Sequence, residues 1–331
     1  MTVRESGQRS FADALVFRRA GINERLDHMA ELIDWALVEA LLLPLRPQDR
    51  GAPGYAPVIL FRAVLLAQWN GLSDEAMEEM LADRLSFQRF CGLDLSDAKP
   101  DHSTLWRFRE ALAAHDLTER LFAEINRQLD AHGFVLRHGT LIDATLVAAQ
   151  AAPPPPPPRI EPAREDEEVP SRLVRSPLDP DAGWTRRGGR RFFGYKGHVA
   201  VDLGSGLIRK QIFTSADIND TSVADQLVMG DEKAVYADKA YDTHVRQASL
   251  RSRGIKSRIQ KRPNKHHDLT PRDKLRNALI GRVRGQVETV FAHLKRICGY
   301  RRVRYFTGQR NAVQFALLCI AYNLNKATLK T

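Results

Sequence analysis

Thr140-Leu-Ile-Asp143-Ala-Thr-Leu-Val147 is the point at which the chain changes its period. Before it, apolar residues recur every three or four positions. Here they form a short β-rich run with one carboxylate in the middle, bounded upstream by Gly133. Gly194-Tyr-Lys-Gly-His-Val-Ala-Val-Asp202 reads as a second strand, Gly204-Ser-Gly206 as a hairpin turn, and Leu207-Ile-Arg-Lys-Gln-Ile-Phe213 as a third strand. A helix around Val223–Met229, a strand Ala234-Val-Tyr-Ala-Asp238, a helix over 243–252 and a short basic strand Ile255–Ile259 come next. Helices over 272–298 and 310–328 follow, giving the order β, β, β, α, β, α, β, α, α. Three strands on short turns followed by two βα steps predict a mixed sheet with helices on its faces.

Working outward, residues 24–135 carry helical spacing throughout. Met29, Leu32, Ile33, Ala36, Leu37, Ala40 and Leu41 predict one helix, stopped by Pro44 and Pro47. A second apolar stretch covers 57–70 and ends at Asn70-Gly71. Ser73 N-caps the next helix, Pro100-Asp-His-Ser103 caps another through Leu105, Phe108 and Leu112, and Leu121, Phe122, Ile125 and Leu129 mark a further one. On the other side, six prolines at 153–158 and the acidic run Glu165-Asp-Glu-Glu168 cannot build a core. Residues 150–185 are therefore expected to be an exposed, partly disordered insertion. The expected domains are a tail over 1–23, an all-α domain over 24–135 and a mixed-sheet domain over 136–328.

Charge narrows the function. Residues 251–310 hold 18 Lys and Arg against 3 Asp and Glu, whereas residues 1–150 hold 16 against 22. So concentrated a positive segment, richer in Arg than Lys, points to a polyanion, most simply nucleic acid. Cys91, Cys298 and Cys319 are far apart and form no CxxC pair, which speaks against a disulfide framework or a zinc-thiolate site. No secretory signal is evident at Met1-Thr-Val-Arg-Glu-Ser, and Ala36–Leu45 is too short to span a bilayer, so the expected location is the cytoplasm.

Three carboxylates stand out. Asp143 lies inside an apolar strand, where a carboxylate must be paired, hydrogen-bonded or metal-bound. Asp238 ends another apolar strand, and ligands of open α/β sheets gather outside strand carboxyl ends. Glu288 shares one stripe of the basic helix Arg282–Arg296 with Arg284 and Lys295. Each has a plainer reading: a satisfied polar core residue, a turn residue, and a surface partner of Arg284. Spacing alone does not decide between them. His266-His267 reads as a solvated pair in a basic loop, and the proline run as a spacer.

The residues around these acids resemble the DDE transposases of bacterial insertion sequences, specifically the insertion-sequence-five family. Leu141-Ile-Asp143-Ala-Thr is similar to that family's first catalytic block, Gly194–Asp202 to the strand after it, and Ala237-Asp238-Lys-Ala-Tyr-Asp242 to the second block. Arg284-Gly-Gln-Val-Glu288-Thr-Val-Phe-Ala-His-Leu-Lys295 resembles the third, whose pattern is Tyr, two residues, Arg, three residues, Glu, six residues, Lys. Here the Tyr position is Gly281. Gly71–Ala76, Phe87–Leu93 and Pro100–Arg109 resemble the family's N-terminal domain. The likeness spans most of residues 25–325.

The resemblance implies an RNase H-like catalytic domain, whose strand order the elements above also follow, preceded by an all-α domain for DNA binding or dimerisation. It implies Asp143, Asp238 and Glu288 as catalytic ligands of two Mg2+ ions, with Mn2+ as the alternative. The implied reaction is hydrolysis at the element's ends, followed by attack of the 3′-hydroxyl on target DNA. The partners would be double-stranded DNA, as terminal inverted repeats and as target, and further copies of the chain. Lys196, Lys239, Arg284 and Lys295 are the candidates for backbone contacts, and Ser103, Thr104, Arg107 and Arg109 for a recognition helix. Two alternatives are a catalytically silent DNA-binding derivative and an RNase H-like nuclease without strand transfer.

Overall fold

The computed structural model describes residues 24–46, 54–154, 176–263 and 268–329. The expected tail, Pro47, most of the proline run, the acidic run and His266-His267 lie outside them.

Among the described residues seven α-helices come first: α1 (Glu24–Leu32), α2 (Trp35–Leu42), α3 (Pro57–Asn70), α4 (Asp74–Asp83), α5 (Leu85–Cys91), α6 (His102–Ala114) and α7 (Leu117–Ala131). The single helix expected around Met29–Leu41 is two. Asp34 breaks it by accepting from the Ala36 amide as the N-cap of α2, a signal that the unbroken apolar spacing hid. α3 keeps its expected bounds, with Pro57 at its start and a left-handed Gly71 after its end. Ser73 and Asp101 cap α4 and α6 as expected.

The sheet contains β1 (Thr140–Ala148), β2 (Gly183–Arg187), β3 (Arg190–Asp202), β4 (Ile208–Ser215), β5 (Ala234–Ala237) and β6 (Lys256–Ile259). Between β4 and β5 lies the short α8 (Asp220–Val223) with a 3-10 turn behind it. α9 (His244–Ser252) precedes β6, and α10 (Pro271–Arg296) and α11 (Gly308–Ala327) close the described chain. β3 runs antiparallel to β1, β5 parallel to β1, and β6 parallel to β5. With β2 set aside, the order β4-β3-β1-β5-β6 is the expected RNase H-like mixed sheet flanked by helices.

β2 corrects the expected insertion. Residues 176–187 are ordered parts of the fold: Ser176, Asp179 and Ala182 are buried, and the buried Tyr195 hydroxyl donates to Asp179. β2 pairs with Arg190–Gly194 and β4 with Tyr195–Val201, so the two follow one another along β3. The hairpin signal was Gly188-Gly189, whose φ values of 55° and 79° suit the two-residue turns that join such arms.

α11 joins the two halves. It is buried along most of its length and packs against α3, α6 and α7 on one side and β4 on the other. One hydrophobic cluster accordingly runs from Leu26 to Ala327 without a break at residue 135. Gly197 makes this contact possible, because a β-carbon there would lie 2.5 Å from the Phe315 ring. No helix among the described residues is long and apolar enough to cross a membrane. Cys91, Cys298 and Cys319 are buried free thiols.

Candidate active site

The parallel pairing of β1 with β5 sets Thr140 opposite Val235 and Leu141 opposite Tyr236. Carried two residues further, the same register puts Asp143 beside Asp238, at the carboxyl end of β5 where the strands part. Neighbouring strands lie about 4.8 Å apart, so this register alone brings two carboxylates, 95 residues apart in sequence, to one place. Both line a cavity of about 170 Å3, together with Lys196, Asp220, Tyr241 and the β2 arm.

Each acid is held locally. Asp143 accepts from the Ala144 amide at 2.9 Å and from Arg284 Nη2 at 3.2 Å. Burial pushes its carboxyl above the usual range, against the pull of Arg284, Ala144 and Arg187, and the neighbouring Asp238 adds to the rise. Asp238 caps the short 3-10 turn Lys239–Tyr241 by accepting from the Lys239 amide. Tyr241 lines the cavity, and its hydroxyl is buried without a hydrogen-bond partner among the described residues.

Glu288 stands apart from this pair. α10 packs on β1 and β5 and delivers Arg284 to Asp143, but Glu288, one turn further along, is exposed. Among the described residues no three His, Cys, Asp or Glu side chains lie close enough together to hold a metal ion. The expected convergence of three acids is thus a convergence of two, with the Arg284 guanidinium as their counter-charge. The donor chemistry of the pair still fits a hard, hydrated cation such as magnesium. It offers carboxylate oxygens and an unpartnered hydroxyl, and magnesium takes one or two carboxylates and fills its remaining positions with water and phosphate.

The basic candidates divide. Lys196 reaches the cavity but is tied to the Ile218 carbonyl at 2.7 Å and Asp220 at 2.9 Å. Lys239 is exposed beside Asp238. Lys295 is half-buried, and burial and the nearby Arg187 and Arg301 lower its pKa. On α6, Arg107 is exposed and bonds back to Ser103 and Thr104, which are half-buried. Arg109 corrects the expected recognition surface: it is 4% exposed and paired with Asp74. It stands four residues after Leu105 and three before Leu112, and so belongs to the buried stripe. Trp106, on the same helix but off that stripe, is 45% exposed.

His198, three residues from the cavity strand's Tyr195, is fully buried and contacts Thr214 Oγ1 at 2.9 Å. Burial pushes its pKa down to about 4, with Lys196 adding to the fall and Asp220 opposing it. Because the folded state refuses the proton that the unfolded chain accepts, stability falls as pH drops from 6.5 towards 4. A full shift of that size is worth roughly 3 kcal/mol. Urea unfolding at pH 7 and pH 4.5 should show His198→Gln losing that part of the acid sensitivity. Identical pH dependence in both proteins would contradict a neutral buried imidazole.

A larger cavity, about 400 Å3, lies between α7 and β4 and is lined by Phe122, Val135 and Leu207. It contains none of the candidate residues, and the charged side chains Arg137 and Arg209 in its lining are paired with Asp231.

The sequence model of the family described as "Transposase DDE domain" matches residues 136–324, more than half of the chain, and that described as "Transposase domain (DUF772)" matches residues 17–111. No solved structure matches the chain.

Proposed function

The chain belongs to the transposase DDE domain family, and we propose that it is a member of the insertion-sequence-five kind that cuts DNA at its element's ends and joins the 3′-hydroxyl to target DNA. It is a transposase, a metal-dependent enzyme of DNA cleavage and transfer. Within that activity we assign Asp143, Asp238 and Glu288 as ligands of two Mg2+ ions, or of Mn2+ in their place. The observation that carries the assignment is the register of β1 and β5, which, carried on past Leu141 and Tyr236, sets Asp143 within β1 beside Asp238 just past the end of β5. Glu288 is included because it shares a helix stripe with Arg284, which already reaches Asp143.

When bound, such ions activate the attacking oxygen and stabilise the leaving one. The chain's own part is placement. Asp143 and Asp238 present their oxygens at one cavity mouth, and Lys196, held by Asp220, keeps a positive charge beside them. Arg284, Lys239 and Lys295 hold phosphate oxygens of the bound strand. Residues 24–135, with Ser103, Thr104 and Arg107 on α6, read the inverted repeats and help pair two copies, while residues 136–328 carry the chemistry. The work is done in the cytoplasm, on the nucleoid.

The test is a reaction of the full chain with Mg2+ and a duplex carrying the inverted repeats that flank its gene, alongside a target plasmid. Cleaved ends and joined products are expected. Binding without cleavage would leave a silent DNA-binding derivative, and cleavage without joined products a nuclease.

A further inference from the structure

The β2–β3 hairpin carries Arg186, Arg187, Arg190 and Arg191 around its Gly188-Gly189 tip. All four are exposed, and none makes a side-chain hydrogen bond or ion pair with the described residues. Register sets Arg186 opposite Arg191 and Arg187 opposite Arg190. Like charges facing one another across a ladder are unfavourable, so nothing within the hairpin accounts for four of them.

Position supplies the account. The hairpin leaves the sheet at Gly194, where a side chain would overlap the Val147 carbonyl. Thr185, Arg186 and Arg187 then line the same cavity as Asp143 and Asp238. Alternation along the strands puts Arg187 and Arg190 on the face shared with Thr185, and Arg186 and Arg191 on the face shared with Trp184. Across the end of β1, backbone bonds of Ala148 with Arg301 and Val303 fix Arg301 and Arg302, which are likewise exposed and unpaired among the described residues. Lys295 lies close enough to Arg187 and Arg301 for both to act on its charge. Two segments distant in sequence thus present six guanidinium groups unpaired among the described residues, of which Arg186 and Arg187 line the aspartate cavity itself.

We propose that the hairpin is a phosphate clamp: Arg187 and Arg190 hold the backbone of the strand being cut, and Arg186 and Arg191 extend the grip to the rest of the duplex. The clamp rests on the reading of the aspartate cavity as the cutting site. Arginine suits the task because its planar fork binds phosphate oxygens in pairs. A polyanion also removes the repulsion that the hairpin otherwise carries.

The test uses the full chain and a fluorescein-labelled duplex bearing the flanking inverted repeat, with a scrambled duplex of equal length as the second probe. Dissociation constants are measured over a series of NaCl concentrations for wild type, R187Q/R190Q and R186Q/R191Q. Each double variant is expected to lower the slope of log Kd against log[NaCl] by about 1.8, at roughly 0.9 per phosphate, on both duplexes. Because like charges are being removed, neither melting temperature should fall, and R187K/R190K should restore the slope. Hydroxyl-radical footprinting of R187Q/R190Q should lose protection next to the cut position and keep it elsewhere.

An unchanged slope in both Gln doubles overturns the clamp, as does a lost footprint remote from the cut. D143N is assayed in parallel to keep the two readings apart. If D143N is inactive and the slopes are unchanged, the clamp fails and the cutting site stands. If D143N still cuts, the site reading fails, and the clamp loses its placement whatever the slopes.

Discussion

Asp143→Asn is expected to abolish DNA cleavage while leaving DNA binding unchanged. The substitution keeps the shape of the side chain and removes the charge that a divalent ion needs. A loss of about 10³-fold or more is expected, corresponding to about 4 kcal/mol of transition-state stabilisation. The fold should not suffer. Burial already disfavours the Asp143 carboxylate, and a neutral amide escapes that penalty. The single amide oxygen keeps one of the two bonds, from the Ala144 amide to Oδ1 or from Arg284 to Oδ2, and relief of the burial penalty offsets the loss of the other. Calorimetry should therefore give an unchanged or higher melting temperature, so that lost cleavage cannot be assigned to unfolding. Asp238→Asn and Glu288→Gln are expected to fall with it. Wild-type cleavage by the Asp143 variant would end the assignment.

Asp74→Ala is expected to be the most damaging single change in the helical half. Arg109 is buried, and its Nε and Nη2 already lack hydrogen-bond partners. Asp74 is its only ion-pair partner among the described residues. Without the carboxylate a guanidinium is left uncompensated in the interior, and breaking a buried pair from one side costs about 3–5 kcal/mol. Asp74 also stands in the first turn of α4, where a negative charge favours the helix. Replacing both partners with apolar residues of similar volume, as in D74L/R109M, removes the stranded charge and should recover most of the loss. The measurement is the urea midpoint of the three variants. A loss below about 1 kcal/mol in Asp74→Ala would mean that Arg109 finds water or another partner.

What was readable in the sequence follows from how local each signal is. α3 kept both bounds because proline and Asn-Gly act on their own backbone. β1, β5 and their aspartates were visible because a lone carboxylate in an apolar run is conspicuous wherever the strand pairs. Periodicity assigns faces but not what each face meets. A recognition helix asks Arg109 to face outward, whereas its spacing from Leu105 and Leu112 puts it on the buried stripe. β2 was lost behind a prolonged polar stretch, and its Gly188-Gly189 turn went unused. The sequence leaves Glu288 open between a ligand and a surface partner of Arg284, since its surroundings depend on how α10 lies across two strands far away in the chain.

α11 has a consequence for how the protein is made. The helical half emerges first from the ribosome, yet the residues that complete its interior, such as Phe315, Leu318 and Leu324, lie in the last helix described. Until residue 327 has left the exit tunnel, the faces of α3 and α7 that α11 covers stay open to water. Nascent chains should then depend on holdase chaperones, because exposed apolar surface in incomplete folds promotes aggregation. A frameshift ahead of Gly308 would yield a polypeptide that quality-control proteases remove, not a shortened DNA-binding repressor of the element.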